Sequence, residues 1–299
     1  MSLISNTASL LSMFNFHLCK HLICAGILLL SMSAHATETL LLETFDNLTT
    51  DLTIGAQLGG AITFSEDISL NHNGSGGSLK ANYPVSTGGV YAWSTYNIAS
   101  HNTNNISLDF WAKMPNAKQG LKFIKIFGGN ADGDHSNYAN TTFSLDYTGI
   151  DPGGMYSVAF GDGTTISNDT QQIINLNGEN PQLIGRSYGQ AVISTPTGPW
   201  RSSDWGTTWH HFRIRVKFNS GTSASNEVAD GSCYLEIDGK VYVNATGLFN
   251  RHYSNTFIDR VEFFGWSQNG DTPFELWYDD IKITIGTSPP MPPENLQVH

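Results

Sequence analysis

An all-β chain, folded as a two-sheet antiparallel β-sandwich of jelly-roll type, is what this sequence predicts, and three observations carry the prediction. Apolar and polar residues alternate with period two in segment after segment, while no stretch beyond residue 36 sustains an amphipathic helical period. Clusters of Gly, Asn, Asp and Pro punctuate those segments. The composition, with 30 Gly, 11% aromatic and 14% charged residues, suits a turn-rich sandwich.

The chain opens on an export signal. Lys20 and His21 make a weakly basic start, Leu22 to Met32 is an almost unbroken apolar run, and Ala34-His35-Ala36 supplies the small-x-small pattern that places cleavage after Ala36. The run is shorter than the roughly 20 residues that span a bilayer, and nothing later is apolar for long enough. Residues 1–36 are therefore expected to be a signal peptide, and the rest a secreted or periplasmic protein with no membrane span. Cys19 and Cys24 fall in the signal, which leaves Cys233 alone and excludes an intramolecular disulfide. Leu22-Ile23-Cys24 precedes most of the apolar run, the wrong order for a lipid anchor. Loss of Lys20, the sole formal charge in 1–36, moves the balance from −11 to −12. An acidic domain without a basic run is a poor general binder of nucleic acid or anionic membrane.

Residues 37–286 are expected to form one domain. Strands fall near 39–46 and 61–65, Asn71-His72-Asn73-Gly74-Ser75-Gly76-Gly77 makes a turn, and strands follow at 77–83 and 89–96. Next, Ile106, Leu108 and Phe110 alternate with Ser107, Asp109 and Trp111, so one face is buried and the other is left to solvent or ligand. Strands at 121–128 and 141–147 flank an acidic loop, Asn130-Ala131-Asp132-Gly133-Asp134-His135, whose ligand types alternate but which lacks the later glutamate of an EF-hand loop. Asp151-Pro152-Gly153-Gly154 turns the chain into 155–160. The least regular segment, 161–206, carries Arg186, Tyr188, Trp200 and Trp205 and a short strand at 191–194; loops of that length are commonly functional. Phe212, Ile214, Val216 and Phe218 then alternate with His211, Arg213, Arg215 and Lys217. Asp238-Gly239 is a hairpin turn between strands at 233–238 and 240–244, and strands at 258–266 and 274–285 close the domain. Residues 287–299, with Ser288-Pro289-Pro290-Met291-Pro292-Pro293, form a stiff Pro-rich linker or the start of a truncated following module.

Leu42-Glu43-Thr44-Phe45-Asp46, Gly76-Gly77-Ser78-Leu79-Lys80, the strand from Trp209 to Val216, the Ile237-Asp238-Gly239 hairpin and the closing Trp277-Tyr278-Asp279-Asp280-Ile281 together resemble the concanavalin A-like jelly roll. That group holds laminin G-like modules, lectins, carbohydrate-binding modules and several polysaccharide lyases. The resemblance implies a structural Ca2+ shared between the first strand and the closing Asp-Asp pair, which maps to Asp46 and Asp280, with Glu43 and Asp279 as alternates. Calcium takes several hard oxygen ligands, of the kind these carboxylates and loop carbonyls offer.

The resemblance also frames the candidate functions. A glucanase of this fold would use Glu-x-Asp-x-Glu, but Lys240 stands in the third place after Glu236 and Asp238, which argues against a hydrolase. A polysaccharide lyase needs a base, an acid and cations that neutralise the uronate carboxylate. His211 and Tyr253 are the candidate proton-transfer groups, with Arg213, Arg215 and Arg251 as carboxylate partners. The Arg-x-Glu-x-Arg and Tyr-x-Lys-x-Gly-x-Tyr-x-Gln signatures of jelly-roll alginate lyases are missing. An arginine-bearing strand is more often a solvated outer face paired with Asp or Glu. Trp209 and Trp277 sit among apolar neighbours and are assigned to the sandwich, whereas Trp93, Trp111, Trp200, Trp205 and Trp266 are candidates for stacking on sugar rings. The expected function is polysaccharide binding on a concave sheet by Trp111, Trp200, Trp205, Arg213, Arg215, Arg251 and Trp266; the alternative is a lyase that cleaves uronate-containing glycan by β-elimination.

Overall fold

The computed structural model describes residues 37–45, 52–57, 62–74, 76–85, 90–113, 121–130, 141–148, 154–160, 172–175, 183–184, 192–194, 207–220, 228, 230–248, 256–263, 266–267 and 273–286, some by backbone path alone. They belong to one compact unit that begins at Thr37. Numbered in chain order, 18 strands among the described residues form two nine-stranded sheets, and their pairings there are antiparallel. The first sheet runs β12 (Val192–Ser194), β15 (Lys240–Leu248), β14 (Gly231–Ile237), β13 (His210–Lys217), β6 (Asn105–Lys113), β18 (Phe274–Ile285), β4 (Ser78–Tyr83) and β3 (Thr63–Asp67), with β1 (Glu38–Glu43) also on β18. The second runs β11 (Leu183–Ile184), β10 (Gln172–Asn175), β9 (Gly154–Phe160), β8 (Thr141–Thr148), β7 (Leu121–Asn130), β16 (Thr256–Phe263), β5 (Val90–Asn97) and β17 (Trp266–Ser267), with β2 (Thr53–Gln57) also on β5.

The predicted sandwich is observed, and its core lies where the period-two pattern put it. Ile106, Leu108 and Phe110 of β6 and Phe212, Ile214 and Val216 of β13 are all buried, against Phe123, Ile124, Ile126, Val261 and Phe263 of the second sheet. Phe110 is the hub. Its ring stacks on Phe212 at 5.2 Å and meets Phe263 edge-on at 5.6 Å. The buried Tyr278 hydroxyl donates to the Phe123 carbonyl at 2.9 Å, so the one polar atom that Tyr278 brings into this cluster is satisfied. Segment 161–206 is more regular than its sequence suggested, since β10 and β11 extend the second sheet there in addition to β12. The short β17 is likewise separate from β16.

Strand β18 shows how one residue rescues an apolar pattern. Phe274, Leu276 and Tyr278 face the core with one phase, Ile281, Ile283 and Ile285 with the other, and the register slips between Asp279 and Lys282. A bulge at Asp280, whose φ is 46°, inserts the extra residue and lets both halves bury their apolar side. It also corrects the expectation for Trp277. That indole is buried, but it stands on the outward side, with Lys80 5.4 Å over its ring and its Nε1 donating to Asp67 at 3.1 Å. Trp209 is also outside the core, half-buried and edge-on to His72 at 6.5 Å.

Candidate functional site

Cross-strand partners share a face, so the outward side of the first sheet carries rows of polar residues. Lys282, Asp109, Arg213 and Glu236 stand abreast on β18, β6, β13 and β14, and Thr284, Ser107, Arg215 and Tyr234 form the next row. Asp109 lies 2.6 Å from His211 Nε2 and accepts from Arg213 Nε at 3.1 Å. Arg213 Nη1 donates to Glu236 at 3.0 Å, and the Tyr234 hydroxyl donates to the same carboxylate at 2.6 Å. Burial alone would raise the Asp109 carboxyl, but its hydrogen bonds to and the charges of His211 and Arg213 outweigh that and hold it below the usual carboxylate range. Burial, reinforced by Glu236, pushes the Tyr234 hydroxyl well above the ordinary tyrosine range. In this network the hydroxyl stands as a donor to Glu236. Arg215 lies 5.1 Å over the Tyr234 ring, and its Nη1 is buried with no hydrogen-bond partner among the described residues. Between these strands is an open depression of about 290 Å³ lined by both arginines, Lys282 and Asp109.

The third row joins two motifs that lie far apart in sequence. Trp111 faces Asp279 on one side and His211 on the other. Its indole stacks on His211 at 4.7 Å and on His72 at 4.3 Å. Because His72 approaches from the β18 side and His211 from β13, the indole is held between two imidazoles. His72 comes from the turn before β4, where positive φ at Gly74 (84°) and Gly76 (78°) bends the backbone. Its backbone N–H donates to Asp279 at 2.9 Å, and its Nδ1 lies 3.4 Å from Asp279 and 3.1 Å from Asp280. Burial and the neighbouring Asp280 carboxylate push the Asp279 carboxyl up. His72, Asp279 and Asp280 present ligand atoms within 4.8 Å of one another, a geometry able to hold a cation. Glu43 pairs with Ile281, one residue along, and is itself buried. The carboxylates suit calcium, whereas an imidazole nitrogen is a ligand for softer ions.

A separate polar pair lies on the second sheet. Lys125 and Glu262 are register partners, both 3% exposed, with their charged atoms 3.3 Å apart. They alternate with the core residues of β7 and β16, so they belong to the side away from the sandwich, beside Phe127, over whose ring Arg260 lies at 4.0 Å.

The structure thus brings His211, Trp111, Arg213 and Arg215 onto one face, with Asp279 and Asp280 beside them. Trp266 is in the other sheet, opposite Tyr91. Asp46, Trp200, Trp205, Arg251 and Tyr253 lie outside the described residues, as do residues 131–135 of the acidic loop. His210 and His211 each pair with a carboxylate, His210 with Asp238 at 2.7 Å. Sequence reasoning missed His72, Lys282 and the Lys125–Glu262 pair. The alternation of β6 does place Asp109 beside Trp111, but nothing local to His72 announces its partners 207 residues away.

No family model and no curated protein matches the chain. Solved structures do. An endo-β-1,4-glucuronan lyase from the fungus Trichoderma reesei aligns over 83% of this chain and 96% of its own, at 10% identity and a TM-score of 0.53. The globular domain of T. cruzi calreticulin aligns over 84% and 89% at 9% identity (TM-score 0.49), and an alginate lyase from a Chlorella virus over 75% and 90% at 14% identity (TM-score 0.46). The fold, a two-sheet antiparallel β-sandwich of jelly-roll type, is shared with the glucuronan lyase.

Proposed function

We propose that this is an exported polysaccharide-binding protein that takes its glycan on the outward face of the first sheet, around His211, Arg213 and Arg215. The observation that supports this most is the open depression between β18, β6 and β13, where charged and hydroxyl side chains stand on a rigid sheet. Sugars are recognised by such convergent polar groups. Trp111 serves as a wall of the site while both imidazoles cover it. Structural neighbours of the same fold include an endo-β-1,4-glucuronan lyase, which agrees with a glycan partner. The Asp279–Asp280 bulge, with Glu43 alongside and Asp46 nearby in sequence, is proposed to hold a structural Ca2+. That ion would supply cross-linking of β1 to the bulge, and His72 would orient the two aspartates.

A lyase is the second reading, favoured by the 2.6 Å His211–Asp109 contact, which fixes the imidazole that a base would need. His211 would remove the C5 proton, Arg213 and Arg215 would neutralise the sugar carboxylate, and Tyr253 would protonate the leaving oxygen. Retention of the protein on immobilised alginate, glucuronan, pectate and neutral glucans, together with ultraviolet absorbance of any unsaturated product, separates the two. Retention without product supports the binding protein. Product that disappears in His211→Ala establishes the lyase.

A further inference from the structure

We infer that the depression on the first sheet is an oxyanion site, built for a carboxylate or sulfate substituent on a bound sugar. The inference rests on the proposed glycan reading for its polymer and on the geometry alone for its anion. The chain carries only 15 Lys and Arg against 26 Asp and Glu, yet Arg213, Arg215 and Lys282 line one depression with a single carboxylate, Asp109. That carboxylate is committed to His211 and Arg213, and Arg213 is further committed to Glu236. Two cations are left over. Among the described residues no carboxylate forms an ion pair with Arg215 or Lys282.

Arg215 is the anchor. Its guanidinium rests on the Tyr234 ring, and its buried Nη1 donates to none of the described residues. Nη1 is closed off from solvent, so an incoming oxyanion meets the part of this half-buried side chain that lines the depression. A planar fork of N–H groups matches a carboxylate or sulfate edge with two parallel hydrogen bonds. Lys282, exposed on β18 across Ser107 and Asp109 from the arginines, offers a second charge. The hydroxyls of Ser107 and Thr284 line the space between, and the shortness of Ser107 helps to open it. About 290 Å³ is at the low end of small-molecule sites, enough for one sugar residue and its substituent. Thr37 lines the same depression. Export cleavage after Ala36 would put a new α-ammonium group at that rim.

Dextran, carboxymethyl dextran and dextran sulfate share one backbone and isolate the charge. The wild-type protein, itself net negative, is expected to bind the two charged polymers at least about tenfold more tightly than dextran, a preference that added chloride weakens. Arg215→Gln and Lys282→Gln should each remove most of that preference. Lys282→Gln, at an exposed position, keeps the test decisive even where Arg215→Gln fails to fold. Inorganic sulfate at matched ionic strength should raise the Tm of wild type more than that of Lys282→Gln, a comparison that cancels sulfate's general stabilising effect. Sulfate stabilisation without retention on any polymer would sustain the oxyanion site and refute the glycan reading. Equal affinity for all three dextrans, or variants that match wild type on the charged pair, would overturn the site.

Discussion

Asp109 and Asp238 show how single residues tie stability to pH. Asp109 is tied to His211 and Arg213, and Asp238 accepts from the His211 backbone N–H at 2.9 Å and pairs with His210. In both, burial is outweighed by these partners and the carboxyl sits below its usual range. A carboxyl lowered on folding contributes stability that is fully present above its unfolded value, about 3.9, and lost as pH falls through the lower folded value. The stability gap between wild type and Asp109→Asn, measured by urea unfolding, should therefore close as pH falls from about 5 through the carboxylate range. A gap that widens as pH falls below about 5 would contradict the assignment. Calcium gives a second test at this scale. If Asp280 holds the ion, chelation lowers the Tm of metal-loaded protein, and Asp280→Ala abolishes that response; identical melting curves with and without chelator would remove the ion.

Among the elements, the turn that carries His72 depends on close backbone approach. A Cβ added at Gly77 would lie 2.6 Å from the Phe45 carbonyl oxygen and 2.7 Å from Glu66 Oε1. Gly77→Ala should therefore lower the Tm and, by displacing the turn, loosen the His72–Trp111 stack, which near-ultraviolet circular dichroism would register; an unchanged spectrum and Tm would refute it. In the core, Phe110→Ala removes the hub of the aromatic cluster and should cost about 3–5 kcal/mol in denaturant unfolding. These elements were largely legible beforehand. Alternation in β6 and β13 and the Asp238-Gly239 turn, with φ of 52° and 76°, announce themselves locally. The β18 bulge was written in the three-residue step from Tyr278 to Ile281, which a strict period of two conceals. Strands β10 and β11 were hidden by short apolar pairs in a polar segment.

For the whole molecule, the sandwich follows from patterning, but the site depends on which strands become neighbours. Trp111, His211 and Asp279 form one row only because β6 lies between β13 and β18, an order that no local sequence signal encodes. That is why Arg213 and Arg215 could be placed on an outward face from sequence, while Lys282 and His72 could not. The same order separates Trp266 from the arginines by putting it in the second sheet. The account's central claim, that polysaccharide docks on the outward face of the first sheet, is tested most directly by NMR of the side-chain N–H groups during titration with a retained polysaccharide. The Nε–H signals of Arg213 and Arg215 should shift progressively to saturation, while those of Arg260 on the second sheet stay in place. Shifts at Arg260 with Arg213 and Arg215 unmoved would put the glycan on the other sheet and contradict the account.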